Sequence, residues 1–408
     1  MMNVTRTILL LAALTTSSPA GDWPQILGPN RTGVAEGEVI ADRLPPSPKP
    51  LWKRDVGDGF AGVAVKGGTA YLFHRVDDQE RVEAMSAKTG KVLWKGDSAT
   101  EYASQISPDR GPRCVPVVTN DRVIVFGAQG LLRCLDRKTG KELWSNVTHK
   151  TFQAQEGYFG AGSTPVVEGG LVLVNVGAPK THAGIVAFNL QSGKVAWKAT
   201  DEQPSYSSPI VADVAGQRQA IFVTRYNCLG VAPKTGKVLW TLPFGSRGPT
   251  VNAATPVLLG DRMFLTSSYG VGAVFAKLTA DSAEELWKDR NLMASQYTTP
   301  IEHEGALIGI DGRQDVGPVS LRCLDPVAKK ILWDEQDFGY ATLIKADDKL
   351  LAQKTDGTLV LINPDKSGYR EVSQASLCDG TTRALPALSN GLYLLRNEGT
   401  LYCYDLSP

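Results

Sequence analysis

The sequence predicts an all-β protein: an eight-bladed β-propeller of four-stranded antiparallel blades, its ring closed by an N-terminal strand. Three observations predict it. First, a segment ending in Trp recurs: KTGKVLW at 88–94 and 234–240, KTGKELW at 138–144 and QSGKVAW at 191–197. Degenerate copies end at Trp287 and Trp333, an isolated pair sits at Leu51-Trp52, and an eighth copy at 365–372 carries Val372 in place of Trp. Seven of the eight tryptophans thus share one position, 42 to 53 residues apart. Second, each interval holds four apolar or alternating runs of about five residues with turn signals roughly every eight to twelve, the mark of an antiparallel unit. Such a sheet is apolar on both faces, and stacking units around an axis buries both. Third, the last unit has only three strands (RALPAL, GLYLLRN, TLYCYD), while PLWKRDV at 50–56 is a Trp strand with no preceding three. Joining the two closes the ring and hides the edges an open sheet would expose.

Taken in chain order, residues 1–20 read as a secretory signal peptide. Arg6 precedes the apolar run at 8–14, and a small polar stretch ends at Ala20. Seven apolar residues are too few for a membrane-spanning helix, which needs about twenty. No Cys precedes Cys114, which leaves no N-terminal cysteine for a lipid anchor. The chain is expected to be exported, periplasmic or extracellular, soluble and not a lipoprotein. Residues 21–49 form a leader, DWPQILGPNRTGVAEGE at 22–38, in which Trp23 and Pro24 are expected to pin the segment across a propeller face. Trp23 lies outside the repeat, so its truncation is expected to cost much less than that of Trp144.

Residues 50–408 form a single propeller domain. Blades are expected at about 59–98, 113–147, 160–199, 206–242, 252–289, 297–335, 338–374 and 379–406. Most open on a polar-polar-Pro-apolar-apolar stretch, as in STPVV (163–167), SSPIV (207–211), ATPVL (254–258) and TTPIE (298–302). In the TG turns, Gly90, Gly140, Gly193 and Gly236 can take the positive φ that hairpin loops require. Asp136 can accept bonds from the turn amides that follow it. Cys134, Cys323 and Cys403 occupy one equivalent position in separate repeats, too far apart to bridge. They read as buried thiols, while Cys114, Cys228 and Cys378 are left open.

Composition narrows the function. The 408 residues carry 43 Lys+Arg against 42 Asp+Glu, a net charge of +1. Such a balance supplies no field for nucleic acid or an anionic membrane surface. His74, His149, His182 and His303 are scattered, with no HxH or HxxxH spacing to bring two onto one metal. No GxSxG, P-loop or dinucleotide fingerprint occurs. Asp77, Asp78 and Glu80 read as a solvated hairpin, and Asp311 with Asp315 could at most hold a weak oxygen-ligand site.

The repeated [KQ]-[TS]-G-K-x-x-W resembles the pyrroloquinoline-quinone-type (PQQ-like) propeller repeat, and the leader resembles the W-P-Q-x-x-G-P-N-R-x-G start of many exported bacterial propellers. The resemblance covers nearly the whole mature chain. It implies either a quinoprotein dehydrogenase or a non-enzymatic, BamB-like propeller. The first would place a quinone with calcium in the central funnel, between a Trp floor and a disulfide of adjacent cysteines, beside an Asp base. This sequence has no adjacent cysteines, and all its tryptophans but Trp23 are accounted for by the repeat. No catalytic, cofactor-binding or metal-binding residue is therefore assigned, and PQQ with calcium remains the lesser alternative.

What remains is surface. The connections from each Trp strand to the next blade (98–112, 147–160, 243–252, 289–297 and 373–382) gather on one face. The candidate partner-binding face comprises Tyr102, Arg110, Arg113, Tyr206, Arg247, Arg290, Tyr297, Tyr340 and Arg383, with Tyr158 and Phe159 nearby. Tyr206, Tyr297 and Tyr340 recur in YSS, YTT and YAT, which predicts a ring of phenols near the axis. Aromatic residues and Arg are what interface centres favour. The expected role is a protein-binding or scaffolding module of the cell envelope, with an envelope protein or polymer as partner and a monomeric propeller. The alternatives are the quinone-dependent oxidoreductase and a carbohydrate- or polymer-binding module.

Overall fold

A computed structural model describes residues 21–408 except 105 and 107, so the expected signal peptide lies outside the described residues. Eight antiparallel sheets form the ring. From inner to outer strand, blade 1 runs from Val63–Lys66 to Val92–Ala99, blade 2 from Val117–Val118 to Glu142–Val147, and blade 3 from Val166–Glu168 to Val195–Ala199. Blade 4 runs from Ile210–Val214 to Val238–Pro243, and blade 5 from Val257–Leu259 to Ala283–Asp289. Blade 6 spans Ile301–His303 to Lys330–Glu335, and blade 7 Ala341–Ala346 to Glu371–Ser376. Blade 8 takes its fourth strand from the other end of the domain: Trp52–Asp55 pairs antiparallel with Thr400–Asp405, Trp52 opposite Cys403 and Asp55 opposite Thr400.

The Trp position is a joint between blades. The indole N–H of Trp52 donates to Ala87 O, Trp94 to Arg137 O, Trp144 to Leu190 O, Trp197 to Pro233 O, Trp287 to Pro326 O and Trp333 to Asp365 O. Each acceptor lies in the turn before the outer strand of the next blade. The TG glycine is needed there twice over. Gly140 has φ +72°, and a Cβ on it would come within 2.4 Å of the Trp94 ring. The residue before Trp is the extra one in a β-bulge, which is why Leu93 and Leu143 stand exposed. Trp240 departs from the pattern. It donates to Gln219 Oε1, and Gln219 Nε2 donates onward to the carbonyls of Thr279 and Ala280, so an amide relays the missing contact.

Around the axis the inner strands of neighbouring blades are not paired as sheet, and the polar-polar-Pro motif stitches them instead. The first hydroxyl donates to the next blade: Ser163 to Ser207 O, Ser207 to Ala254 O, Thr298 to Ala341 O. The second accepts from the blade before: Thr164 from Val115 N–H, Ser208 from Thr164 N–H, Thr299 from Thr255 N–H. The proline that follows has no N–H to leave unpaired.

The leader is part of the fold. Trp23 exchanges backbone hydrogen bonds with Val65 of blade 1, Pro24 O accepts from Val118 N–H of blade 2, and Val34–Ala35 adds in parallel to the inner strand of blade 7. Glu38 accepts from the amides of Asn390 and Gly391 in blade 8. These partners lie at the far ends of the inner strands, so the leader closes the axis from the face of the TG turns. From there Arg31 extends along the axis. Its guanidinium donates to Pro209 O at 2.7 Å, to Thr164 O and to Pro165 O, and its Nε donates to Gln25. Burial lowers its pKa to about 9.

Two expectations are corrected here. Trp23 is only 2% exposed and sits in a core cluster with Val63, Val65 and Tyr393, so it is a structural residue although it lies outside the repeat. Glu80 is buried, its carboxylate accepting from Ala128 N–H in the next blade, because the hairpin faces blade 2 and not solvent. Asp311 and Asp315 are each held by an arginine, Arg322 and Arg313, and Asp311 also accepts from Ala294 N–H. All six cysteines are free and buried.

Candidate functional site

The leader and TG turns occupy one face; the connections between blades occupy the other. At the axis end of the connection face, two guanidinium groups share one ring. Arg113 and Arg383 lie 5.2 and 5.4 Å from the centroid of Phe60, and Arg113 is also 5.1 Å from Phe159. Arg113 is fixed by a bond to Phe159 O and an ion pair with Asp109, whereas Arg383 is exposed. Phe60 comes from the segment joining the closing strand to blade 1, outside the five longer connections.

The tyrosines behave otherwise than expected. The Tyr206 hydroxyl accepts from Phe159 N–H, and that of Tyr340 from the N–H groups of Tyr297 and Thr298. Each therefore ties its own blade to the connection before it, and burial raises the Tyr206 pKa to about 12. Tyr297 packs on Tyr340 with ring centroids 4.5 Å apart and donates to Gln314. The phenols recur by sequence but form joints between blades, not a ring of available hydroxyls. Arg110 pairs at 3.8 Å with Asp58, and Arg247 is exposed. Arg290 stands apart, beside Arg313 and Arg322 in a depression between blades 5 and 6.

Tyr102 and Tyr206 line a cleft of about 640 Å³ between blades 2, 3 and 4. The loop 156–163 shapes it: a Cβ on Gly160 would meet Tyr102 at 2.9 Å, and one on Gly162 would meet Tyr206 at 2.6 Å. Arg225, which the sequence did not single out, lies 5.4 Å from Tyr158 and 5.5 Å from Tyr226 and donates to Thr250 O and Gly248 O. Asn175 was likewise missed, although a polar residue amid LVLVNVGA was a signal available in the sequence.

The residues that the resemblance implies for a quinone are not assembled. Six repeat tryptophans spend their indole N–H on blade joints, Trp240 spends its own on Gln219, and Trp23 belongs to the leader on the opposite face. The central hydroxyls are bonded between strands, and the buried Arg31 guanidinium is bonded to carbonyls at the inner strands of blades 3 and 4. No group of three or more His, Cys, Asp or Glu able to hold a metal occurs among the described residues.

A family profile described as "Outer membrane protein assembly factor BamB" matches residues 36–149 and 78–335, well over half of the chain. The chain belongs to that family. BamB of Burkholderia pseudomallei (strain K96243) is 25% identical over 294 residues, 61% of this chain and 71% of that protein. Quinohemoprotein alcohol dehydrogenase ADH IIB of Pseudomonas putida is 36% identical over 121 residues, 29% of this chain but 17% of its own length. Among solved structures, a europium-containing methanol dehydrogenase superposes with a TM-score of 0.71 at 12% identity, covering 95% of this chain and 98% of that one. That likeness establishes the propeller, and a fold shared with a dehydrogenase does not transfer the chemistry. As a BamB-type propeller the chain has no helix among the described residues long and apolar enough to cross a membrane.

Proposed function

We propose that this BamB-type propeller is an exported module of the cell envelope that binds or scaffolds a protein partner through its connection face. The carrying observation is the pair of guanidinium groups on Phe60 at the axis end left open by the leader. An Arg already stacked on an aromatic ring loses less freedom on binding, and Arg–aromatic clusters dominate interface energetics. The family match and the BamB relative favour the same reading. Replacing Arg247 and Arg383 together by Ala tests it, because both are exposed and loops of this kind contribute little to blade cores. The mature chain, crosslinked in envelope extract and analysed by mass spectrometry, should lose its specific partner about tenfold with this pair. Lys91→Ala with Lys141→Ala, on the TG-turn face, should leave capture unchanged. The reverse result places the working surface on the other face.

The dehydrogenase match favours a second reading, quinone-dependent oxidation. The missing cysteine pair and the committed tryptophans argue against it. Incubation with PQQ and calcium followed by gel filtration should leave no quinone absorbance on the protein; a stoichiometric quinone band would support the oxidoreductase instead.

A further inference from the structure

Most polar groups around the cleft between blades 2, 3 and 4 are spent within the protein. Ser163 and Ser205 donate to Ser207 O and Val223 O, the Tyr206 hydroxyl accepts from Phe159 N–H, and Arg225 is held by two carbonyls. Asn175 is the exception. It lies in the second strand of blade 3, Leu171–Ala178, is 3% exposed and lines the cleft, yet neither its amide nitrogen nor its carbonyl oxygen has a partner. Nδ1 of His149, in the same lining, is also buried without one. Buried polar atoms left unbonded are rare and destabilising, so side chains of this kind gathered at one cleft call for a ligand.

We propose that this cleft binds a neutral sugar, with the Asn175 carboxamide reading its hydroxyls. A carboxamide offers a donor and an acceptor side by side, and an uncharged imidazole offers one of each. A pair of adjacent ring hydroxyls, each able to donate and accept, is their complement. Tyr158 and Tyr226, 43% and 37% exposed, present aromatic surface at the rim for the C–H face of a sugar ring. Among the described residues the lining holds only two ionised side chains, Glu156 and Arg225, and Arg225 is already committed, so these residues select neither an anion nor a cation. Strand ends and connections of three blades build the cleft. It therefore presents no free strand edge with which an extended peptide could pair. Its volume of about 640 Å³ is in the range of small-molecule sites. The inference rests on the cleft and is independent of the partner-binding reading.

The test is calorimetry and saturation-transfer NMR on the mature chain with maltose, cellobiose and N,N′-diacetylchitobiose, together with an array of longer neutral glycans. The short sugars report a free saccharide as ligand; binding on the array alone reports a segment of a polymer. Either supports the proposal. Asn175→Leu should weaken binding about tenfold or more, the loss of two hydrogen bonds, while the melting temperature stays at or above that of the wild type. Ordinary bonded asparagines do not give that combination. Tyr226→Ala, at the exposed rim, should also weaken binding and decides the matter if Asn175→Leu fails to fold. The Arg247/Arg383 pair should bind sugar normally, which separates failure here from failure of the partner reading. No binding to any neutral saccharide, binding indifferent to both cleft variants, or preferential capture of a peptide or charged polymer would overturn the proposal.

Discussion

The two faces of the ring are built by opposite means. On the TG-turn face nearly everything repeats: a turn glycine under the indole of the preceding blade, an indole N–H on the next turn, and a leader laid across the axis. On the connection face little repeats. Loops differ in length, tyrosines act as local ties, guanidinium groups stack on rings from other connections, and polar atoms of Asn175 and His149 are left without partners. The difference teaches where stability and recognition are separated in this molecule. The indole N–H of the joint is bonded six times over, whereas Asn175 at the cleft keeps both polar atoms of its carboxamide unspent. Local rules are expected to fail where function lies.

The comparison breaks most violently at the closing strand. Removing 48–57 unpairs Thr400–Asp405 from Trp52–Asp55 and opens the ring. We expect aggregation or loss of cooperative folding, because an exposed edge pairs with other chains. A soluble deletion with an unchanged melting curve would mean that the ring does not depend on that strand.

Next in size are the two tryptophan truncations. Trp144→Ala should cost about 3 kcal/mol in urea titration, as large aromatic truncations do. Trp23→Ala should cost as much or more, since Trp23 is the more deeply buried of the two. A cost for Trp23 below about 1 kcal/mol would show the leader to be dispensable and the TG-turn face to owe its stability to the repeat alone.

Smaller again is the effect of acid at the seam between blades 8 and 1. His74 accepts from Gly57 N–H at Nδ1, so its proton sits on Nε2, 3.9 Å from Glu83. Glu83 is already paired with Arg54 from the closing strand and with Lys95. Burial, followed by the nearby Arg396, Arg81, Arg54 and Lys95 charges, lowers the His74 pKa to about 3. With the folded value below the ordinary 6.5, the unfolded chain binds the extra proton first. The contribution of His74 is then present above pH 6.5 and falls as the pH drops towards 3. Between pH 7 and pH 5 the wild type should lose about 2 kcal/mol that His74→Gln does not lose. Parallel pH profiles for the two would assign the acid sensitivity elsewhere, with His149, whose pKa burial lowers to about 4, as the next residue to replace.

Legibility followed the same division. Blade number, the four-strand unit, the closing strand and the positive-φ glycines were all readable, because each is a local pattern repeated in register. Arg113 and Arg383 were readable as residues of the right face, but their meeting on Phe60 was not, since the three come from three separate connections. Glu80 looked like part of a solvated turn because its partner, Ala128 N–H, lies 48 residues away in another blade. Trp23 looked peripheral because it stands outside the repeat. What the amino-acid sequence by itself determined is the ring, because propeller blades are specified by periodic burial and by left-handed turn positions that favour glycine. What only the tertiary structure decided is the use of each face. Curling the chain into a ring placed the leader's Arg31 in the axis and drew the loops of blades 2, 3 and 4 around one unpartnered carboxamide, and spacing along a chain does not encode such long-range proximities.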